Sequence, residues 1–195
     1  MEAARDLARA MHKYGAKLVY GGGTVGLMGE IARTLVSLSG PDSVHGIIPK
    51  ALVRYEQAGR EGQTPGSGID EKIFGRTSVV ADMHTRKQTM TQEVLKGGPG
   101  SGFVALSGGY GTMEELMEIT TWNQLGIHKA GIVLYNVAGF YDGLLTWING
   151  AVSGGFVAQS NAGIIQEAKD AETVVTALKD YQVAKGRFDL DWNEK

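Results

Sequence analysis

The chain has 195 residues, a net charge of −2 at neutral pH and no cysteine. That length suits one α/β domain with a sizeable core, and the charge balance argues against a nucleic-acid polymer as partner while leaving a small anion open. The missing thiols exclude disulfides, thiolate metal sites and a cysteine nucleophile; no run approaches the roughly 20 apolar residues of a membrane-spanning helix, so no membrane partner is expected and the cytoplasm is the default compartment.

The 29 glycines are neither periodic nor accompanied by much proline, and they gather where strands would end. Ala4, Leu7, Ala8 and Met11 recur at helical spacing over residues 2–14, with Gly15 as the stop. Leu18-Val19-Tyr20 reads as a short buried strand that runs into GGGTVGLMGE and a helix to about Leu38, closed by Ser39-Gly40-Pro41. Doubly wound domains ordinarily open on a strand, so a leading strand is expected ahead of residue 1. Residues 43–48 form the next strand, ending at Pro49. The polar, Gly-rich stretch 57–75 has no period and reads as a mobile surface loop.

The strand TSVVA leads to Asp82, an N-cap for the helix MHTRKQTMTQEVLK, which GGPGSG terminates. FVALS is a further buried strand, followed by GGYGT and the helix MEELMEITTWNQL. GIVLY is another strand, FYDGLLTWINGAV and AETVVTALKDY are helices, and a tail begins at about residue 182. Short apolar strands alternating with helices predict an α/β, Rossmann-like, doubly wound and mainly parallel sheet with helices on both faces, in one domain spanning 1–195. Ligands in such folds sit beyond the strand C-termini.

Three segments at strand-to-helix junctions carry the chemistry. In Ser107-Gly108-Gly109-Tyr110-Gly111-Thr112, glycines admit a ligand to the backbone, and the first N–H groups of the next helix have no internal partners, which makes an anion site suited to phosphate. Thr112 adds a hydroxyl, and Glu115 shares its helix face beside Leu116 and Ile119. The competing reading is a capping box, with Thr112 as N-cap and Glu115 as its partner.

The second segment holds Gly21, Gly22, Gly23, Gly26 and Gly29 and is neither a P-loop nor a clean dinucleotide fingerprint. Gly22, Gly23 and Thr24 stand where backbone would face a ligand, whereas Gly29 suits close helix packing. The third is Asp82-Met83-His84-Thr85-Arg86-Lys87. Cations are disfavoured in a first helical turn, and a bound anion would remove the conflict. Arg86 is the better phosphate ligand through its planar donor fork, while Lys87 also fits a solvated face. Met83 could lay its thioether against a purine, whereas Trp122, Trp147 and the other methionines suit packing faces. The four histidines lie scattered without metal-ligand spacing, so no metal is expected.

Taken together, VYGGGTVGLMG, DMHTRK and SGGYGTMEELMEITTWNQLGIH resemble the LONELY GUY family of cytokinin riboside 5′-monophosphate phosphoribohydrolases, within a wider Rossmann-like group once labelled lysine decarboxylases. The likeness runs from the first helix to about Phe156 and weakens toward the C-terminus. Ser107 replaces the proline of the family's PGGxGTxxE, and Thr85 the glutamate of DMHERK. The family's opening strand and CGSS-type loop have no counterpart after Met1, for which an incomplete N-terminal record is the simplest reading. The resemblance implies hydrolysis of the N-glycosidic bond of a cytokinin riboside 5′-monophosphate, of AMP, or of both. Arg86 and Glu115 would then be the catalytic pair. Gly108, Gly109, Tyr110, Gly111 and Thr112, with Gly22, Gly23 and Thr24, would hold phosphate and ribose, and Met83 and Lys87 the base.

It also implies a homodimer with the site near the subunit interface, where the helix carrying Trp122, Gln124 and His128 could contribute. No cofactor is expected: decarboxylation would need a lysine Schiff base to pyridoxal phosphate, and no lysine stands in a recognisable site for one. The alternative is a non-catalytic nucleotide-binding protein similar to molybdenum-cofactor carriers. Arg86 and Glu115 weigh against it, since a pure binder has less need of a carboxylate beside an anion.

Overall fold

The structure, a computed structural model, describes residues 1–58, 68–190 and 192. They belong to two units, Met1–Lys96 and Gly97–Lys195. Each is built on its own three-stranded parallel sheet, in the order β1-β2-β3 and β4-β5-β6. This is the Rossmann-like α/β class that the alternation of strands and helices predicts.

In the first unit, α1 (Glu2–Lys13) ends before Gly15, whose φ of +65° turns the chain toward β1 (Leu18–Tyr20). Helix α2 (Gly26–Ser39) stops at Gly40, and a 3-10 turn at Pro41–Ser43 leads into β2 (Val44–Pro49). Helices α3 (Lys50–Ala58) and α4 (Glu71–Phe74), β3 (Arg76–Val80) and α5 (Met83–Leu95) follow. The strands pair in parallel, with Tyr20 opposite Gly46 and Ile47 opposite Ser78. Helices α1 and α2 pack on each other and bury Ala4, Leu7 and Ala8 on one and Ile31, Ala32 and Leu35 on the other. Each such leucine contributes about 1.5–3 kcal/mol of transfer free energy.

The stretch read as a loop is ordered at both ends. KALVRYEQA is rich in strong helix formers and makes α3, which reaches residue 58. Asp70 caps the single turn of α4 by accepting the Lys72 N–H at 3.0 Å. Residues 59–67 of that stretch lie outside the described residues.

The second unit contains β4 (Gly102–Ala105), α6 (Tyr110–Gln124), β5 (Gly131–Tyr135), α7 (Asp142–Ser153), β6 (Ile165–Ala168) and α8 (Ala171–Lys179). Strand β5 is buried at all five positions, as expected of a central strand covered on both faces. Its Ile132 and Leu134 join Ala105, Leu116, Tyr141 and Ile164 in one core, flanked by Met113, Met117 and Ile119 of α6. Strand β6 has no counterpart among the predicted elements, because a four-residue IQEA carries too little apolar signal. Trp147 departs from its expected packing role. It is 61% exposed on α7, a helix with no buried residue.

Candidate active site

In the first unit, β1 ends directly in Gly21-Gly22-Gly23-Thr24, and the last three of these are buried. Gly22 has φ +76°, and a β-carbon there would come 2.9 Å from the Ile48 Cβ, so the turn beside β2 requires glycine. A β-carbon on Gly29 would run into the Thr24 carbonyl, which accounts for that glycine by helix-to-loop packing, as expected.

Thr24 is 2% exposed, and its two donors converge on one carboxylate. Its backbone N–H donates to Glu56 Oε2 at 2.9 Å and its hydroxyl to the same oxygen at 2.5 Å. Glu56, on α3, escaped the sequence reading. No short-range spacing joins it to a loop 32 residues away.

Arg86 stands in the opening turns of α5. Asp82 caps that helix as expected, accepting the Thr85 N–H at 2.8 Å, and this bond holds its carboxyl below the usual range. Arg86 is 8% exposed, and its guanidinium reaches back over the sheet. Nε donates to the Ile47 carbonyl of β2 at 3.2 Å. Nη2 fills the volume that a β-carbon on Gly21 would need, and Cζ lies 3.0 Å from that point. The Ile47 carbonyl of β2 thus faces a cation that would otherwise be misplaced at a helix start. Met83, Arg86 and Lys87 share one face of α5, with Met83 43% exposed and Lys87 half-buried.

In the second unit, β4 passes through Leu106, Ser107 and Gly108 to α6. The N-cap is Gly109, with no side-chain capping bond. The first helical bond runs from the Met113 N–H to the Gly109 carbonyl at 3.1 Å. This overturns the capping-box reading. Thr112 lies inside the first turn, so its side chain does not close the helix, and the N–H groups of Tyr110, Gly111 and Thr112 have no partners within it. Thr112 instead lays its side chain on Gly108: a β-carbon on Gly108 would fall 2.8 Å from the Thr112 Cβ and closer still to its hydroxyl. β-carbons on Gly109 and Gly111 would meet no described atom within 4 Å. Tyr110 is 97% exposed, while Glu115 is half-buried one turn beyond Thr112 and beside the buried Leu116.

Two residues that the sequence reading missed hold this loop in place. The Tyr141 hydroxyl donates to the Leu106 carbonyl at 2.5 Å, next to Ser107, and burial raises the phenol's pKa. Asn136, 2% exposed at the end of β5, fixes Tyr141 in turn: its Oδ1 accepts the Tyr141 N–H at 2.7 Å. Its Nδ2 donates to Asp142 at 2.8 Å and to Glu167 at 2.7 Å. A polar residue directly after an apolar strand was the available signal.

The far end of α6 is fastened by the tail. The Phe188 N–H donates to the Gln124 carbonyl at 2.8 Å, Trp192 Nε1 to that of Leu125 at 3.1 Å, and Arg187 Nη2 to that of Gly126. His128 is 4% exposed and turned inward, which removes it from any surface role. Its Nε2 donates to the Ile119 carbonyl at 2.8 Å and its Nδ1 accepts the Ala130 N–H at 3.2 Å. Among the described residues, no three His, Asp or Glu side chains cluster in a way that could hold a metal ion.

A family model described as "Possible lysine decarboxylase" matches residues 28–178. The chain is 52% identical over 194 residues to a bifunctional cytokinin biosynthesis protein of Fusarium pseudograminearum, a match covering 98% of this chain and 39% of that protein. It is 39% identical over 196 residues to the probable cytokinin riboside 5′-monophosphate phosphoribohydrolase LOGL3 of Oryza sativa subsp. japonica, covering 98% of this chain and 82% of the relative. It is 40% identical over 181 residues to the cytokinin riboside 5′-monophosphate phosphoribohydrolase LOG7 of Arabidopsis thaliana, covering 93% and 74%. The chain therefore spans less than half of the fungal relative and most of each plant one.

Proposed function

Because this chain belongs to the LONELY GUY family of phosphoribohydrolases, we propose that it cleaves the N-glycosidic bond of a cytokinin riboside 5′-monophosphate, of AMP, or of both, giving free base and ribose 5-phosphate. The observation that carries this reading is the start of α6. Three backbone N–H groups without helical partners and the Thr112 hydroxyl form an anion site, and Glu115 lies one turn further along the same helix. The phosphate binds at Gly108–Thr112 and acts as a remote handle whose binding energy orients the ribose.

Scission of the bond between C1′ and the base nitrogen builds oxocarbenium-like charge on the ribose, as in glycoside hydrolysis. The Glu115 carboxylate stabilises that charge and orients the water whose oxygen bonds to C1′, while the base departs with a proton. Arg86 secures the phosphoribosyl group through its planar fork, held by the Ile47 carbonyl and the space above Gly21. Met83 and Lys87, on the same face of α5, contact the base. The chain acts as a single hydrolase domain. It works as a homodimer with the site near the subunit interface, in the cytoplasm, and without a cofactor.

The test is incubation with AMP and with isopentenyladenosine 5′-monophosphate, following free base by chromatography, with Glu115→Gln alongside. Base released only by the unaltered protein supports the hydrolase. Binding of AMP without cleavage of either nucleotide replaces it with a non-catalytic carrier. Equal turnover of adenosine and AMP removes the phosphate handle.

A further inference from the structure

The glycine loop after β1 has the makings of a second anion site, with close-packed glycines, a buried threonine and the start of α2. In this protein a carboxylate already occupies it. Glu56 Oε2 takes both donors of Thr24, at 2.9 and 2.5 Å, and Glu56 Oε1 comes 3.6 Å from the position of a β-carbon on Gly23. Helix α2 begins with no side-chain cap at Val25 and no acidic residue in its first turn, so Glu56 supplies from α3 the negative charge that this helix start favours.

We propose that Glu56 is a specificity-determining residue: it closes the first glycine loop to phosphate and leaves that loop to neutral, hydroxyl-bearing parts of the substrate. A phosphate approaching Thr24 would meet a fixed carboxylate and find the N–H and hydroxyl already used. A ribose hydroxyl meets no such repulsion and can donate to a carboxylate. The chain thus presents two glycine loops of opposite character. The start of α6 offers N–H groups that no helical bond uses, while the loop after β1 offers an acceptor. At the loop after β1 a ribose hydroxyl is therefore accepted, whereas a phosphate group is not. The inference rests on the function proposed above for what each loop receives, but its test does not require catalysis.

The experiment measures binding of inorganic phosphate by calorimetry, and the rise in melting temperature with added phosphate against equal ionic strength of sodium chloride. It compares the unaltered chain with Glu56→Ala and Glu56→Gln. Glu56→Ala leaves the buried donors of Thr24 unsatisfied, so an anion should replace the lost partner. The expected result is at least tenfold tighter or additional phosphate binding and a larger phosphate-specific rise in melting temperature. Glu56→Gln keeps a neutral acceptor in place, should fold where Glu56→Ala does not, and should gain a smaller response, two- to fivefold. If neither variant gains phosphate binding over the unaltered chain, the proposal is overturned. A gain in the variants together with no phosphate binding by the unaltered chain supports the role of Glu56 while removing the phosphate from the start of α6, so the two readings fail separately.

Discussion

Gly21 and Arg86 compete for one volume: the Arg86 Nη2 lies where a β-carbon on residue 21 would stand, and Arg86 Nε is tied to the Ile47 carbonyl at 3.2 Å. The absence of a side chain at the end of β1 is therefore what lets a buried guanidinium rest over the strand ends. Gly21→Ala forces the guanidinium aside. Overpacking in rigid surroundings costs about 1–3 kcal/mol, but here the displaced group is the far end of a flexible chain, so stability should fall toward the low end of that range. Activity should suffer more, since misplacing a positioning group by about 1 Å can cost on the order of 10²-fold. The expected outcome is a melting temperature within a few degrees of the original, with kcat/KM for AMP at least tenfold lower. Full activity with alanine at 21 would show that the guanidinium's position is irrelevant to turnover.

Glu115→Gln preserves shape and removes charge. The helix is capped by Gly109, and glutamine keeps the shape and hydrogen-bonding capacity of the side chain, so the substitution should leave the melting temperature within about 1–2 °C, as for most changes within ±0.5 kcal/mol. A carboxylate that stabilises developing positive charge acts mainly in the transition state, so kcat should fall by at least 10²-fold with little change in KM. Thr112→Val offers the contrast, because its hydroxyl belongs to the proposed phosphate subsite and its loss should raise KM more than it lowers kcat. Identical KM and kcat patterns for the two variants would refute the division of roles.

What could be read from the sequence was what is local. The Asp82 cap bonds a residue three positions away, and the glycine stops at 15 and 40 act on their own backbone, so each was legible. The strand-and-helix alternation exposed the fold class for the same reason. The capping-box reading of Thr112 failed because consecutive glycines let α6 begin at Tyr110, three residues earlier than a Thr cap would allow. The partners of the site residues lay beyond reach. Arg86 finds Gly21 and Ile47, Thr24 finds Glu56, and Tyr141 finds Leu106 only once strands are paired and helices packed.

Tyr141→Phe removes the donor to the Leu106 carbonyl and leaves an acceptor unsatisfied near the core, which should cost about 1–3 kcal/mol. Because Leu106 adjoins the loop at 107–112, the loop should also lose definition. KM for nucleoside monophosphates should rise severalfold, while binding of the unphosphorylated nucleoside, measured by calorimetry, should stay the same. An equal loss for both ligands would mean that Tyr141 supports the unit as a whole without positioning the loop at 107–112.

His128 makes stability depend on pH. Burial holds its pKa below 6.5, with the Ile119 bond opposing that shift and Arg187 adding to it. In the unfolded chain the imidazole takes up a proton as pH falls through about 6.5, while the folded protein holds it neutral, so the unfolded state binds more protons there. The stabilising contribution is complete above about pH 6.5 and is lost as pH drops below it toward the folded-state value. One proton limits the slope to about 1.4 kcal/mol per pH unit. Denaturant midpoints from pH 8 to 5 should fall more steeply for the unaltered protein than for His128→Asn, and parallel curves would assign the acid sensitivity elsewhere.

The tail makes a claim about α6 that truncation can check. Three carbonyls at its C-terminal end, on Gln124, Leu125 and Gly126, accept from Phe188, Trp192 and Arg187. Gly126 has φ +87° and lies so close to the Phe188 carbonyl that a side chain there would strike it. Arg187 also sets a cation at the negative end of the helix whose positive end is the proposed phosphate site, a placement that favours the helix at both ends. At roughly 1 kcal/mol net for each hydrogen bond, ending the chain after Tyr181 should cost on the order of 3 kcal/mol, and Arg187→Ala about a third of that. Hydrogen exchange should then speed up first at the amides near residues 122–127 and not at the Tyr141-anchored loop. If exchange rises uniformly through the second unit, the tail supports the whole unit; if it does not rise at all, the three carbonyls are satisfied by water and the tail is dispensable to the helix.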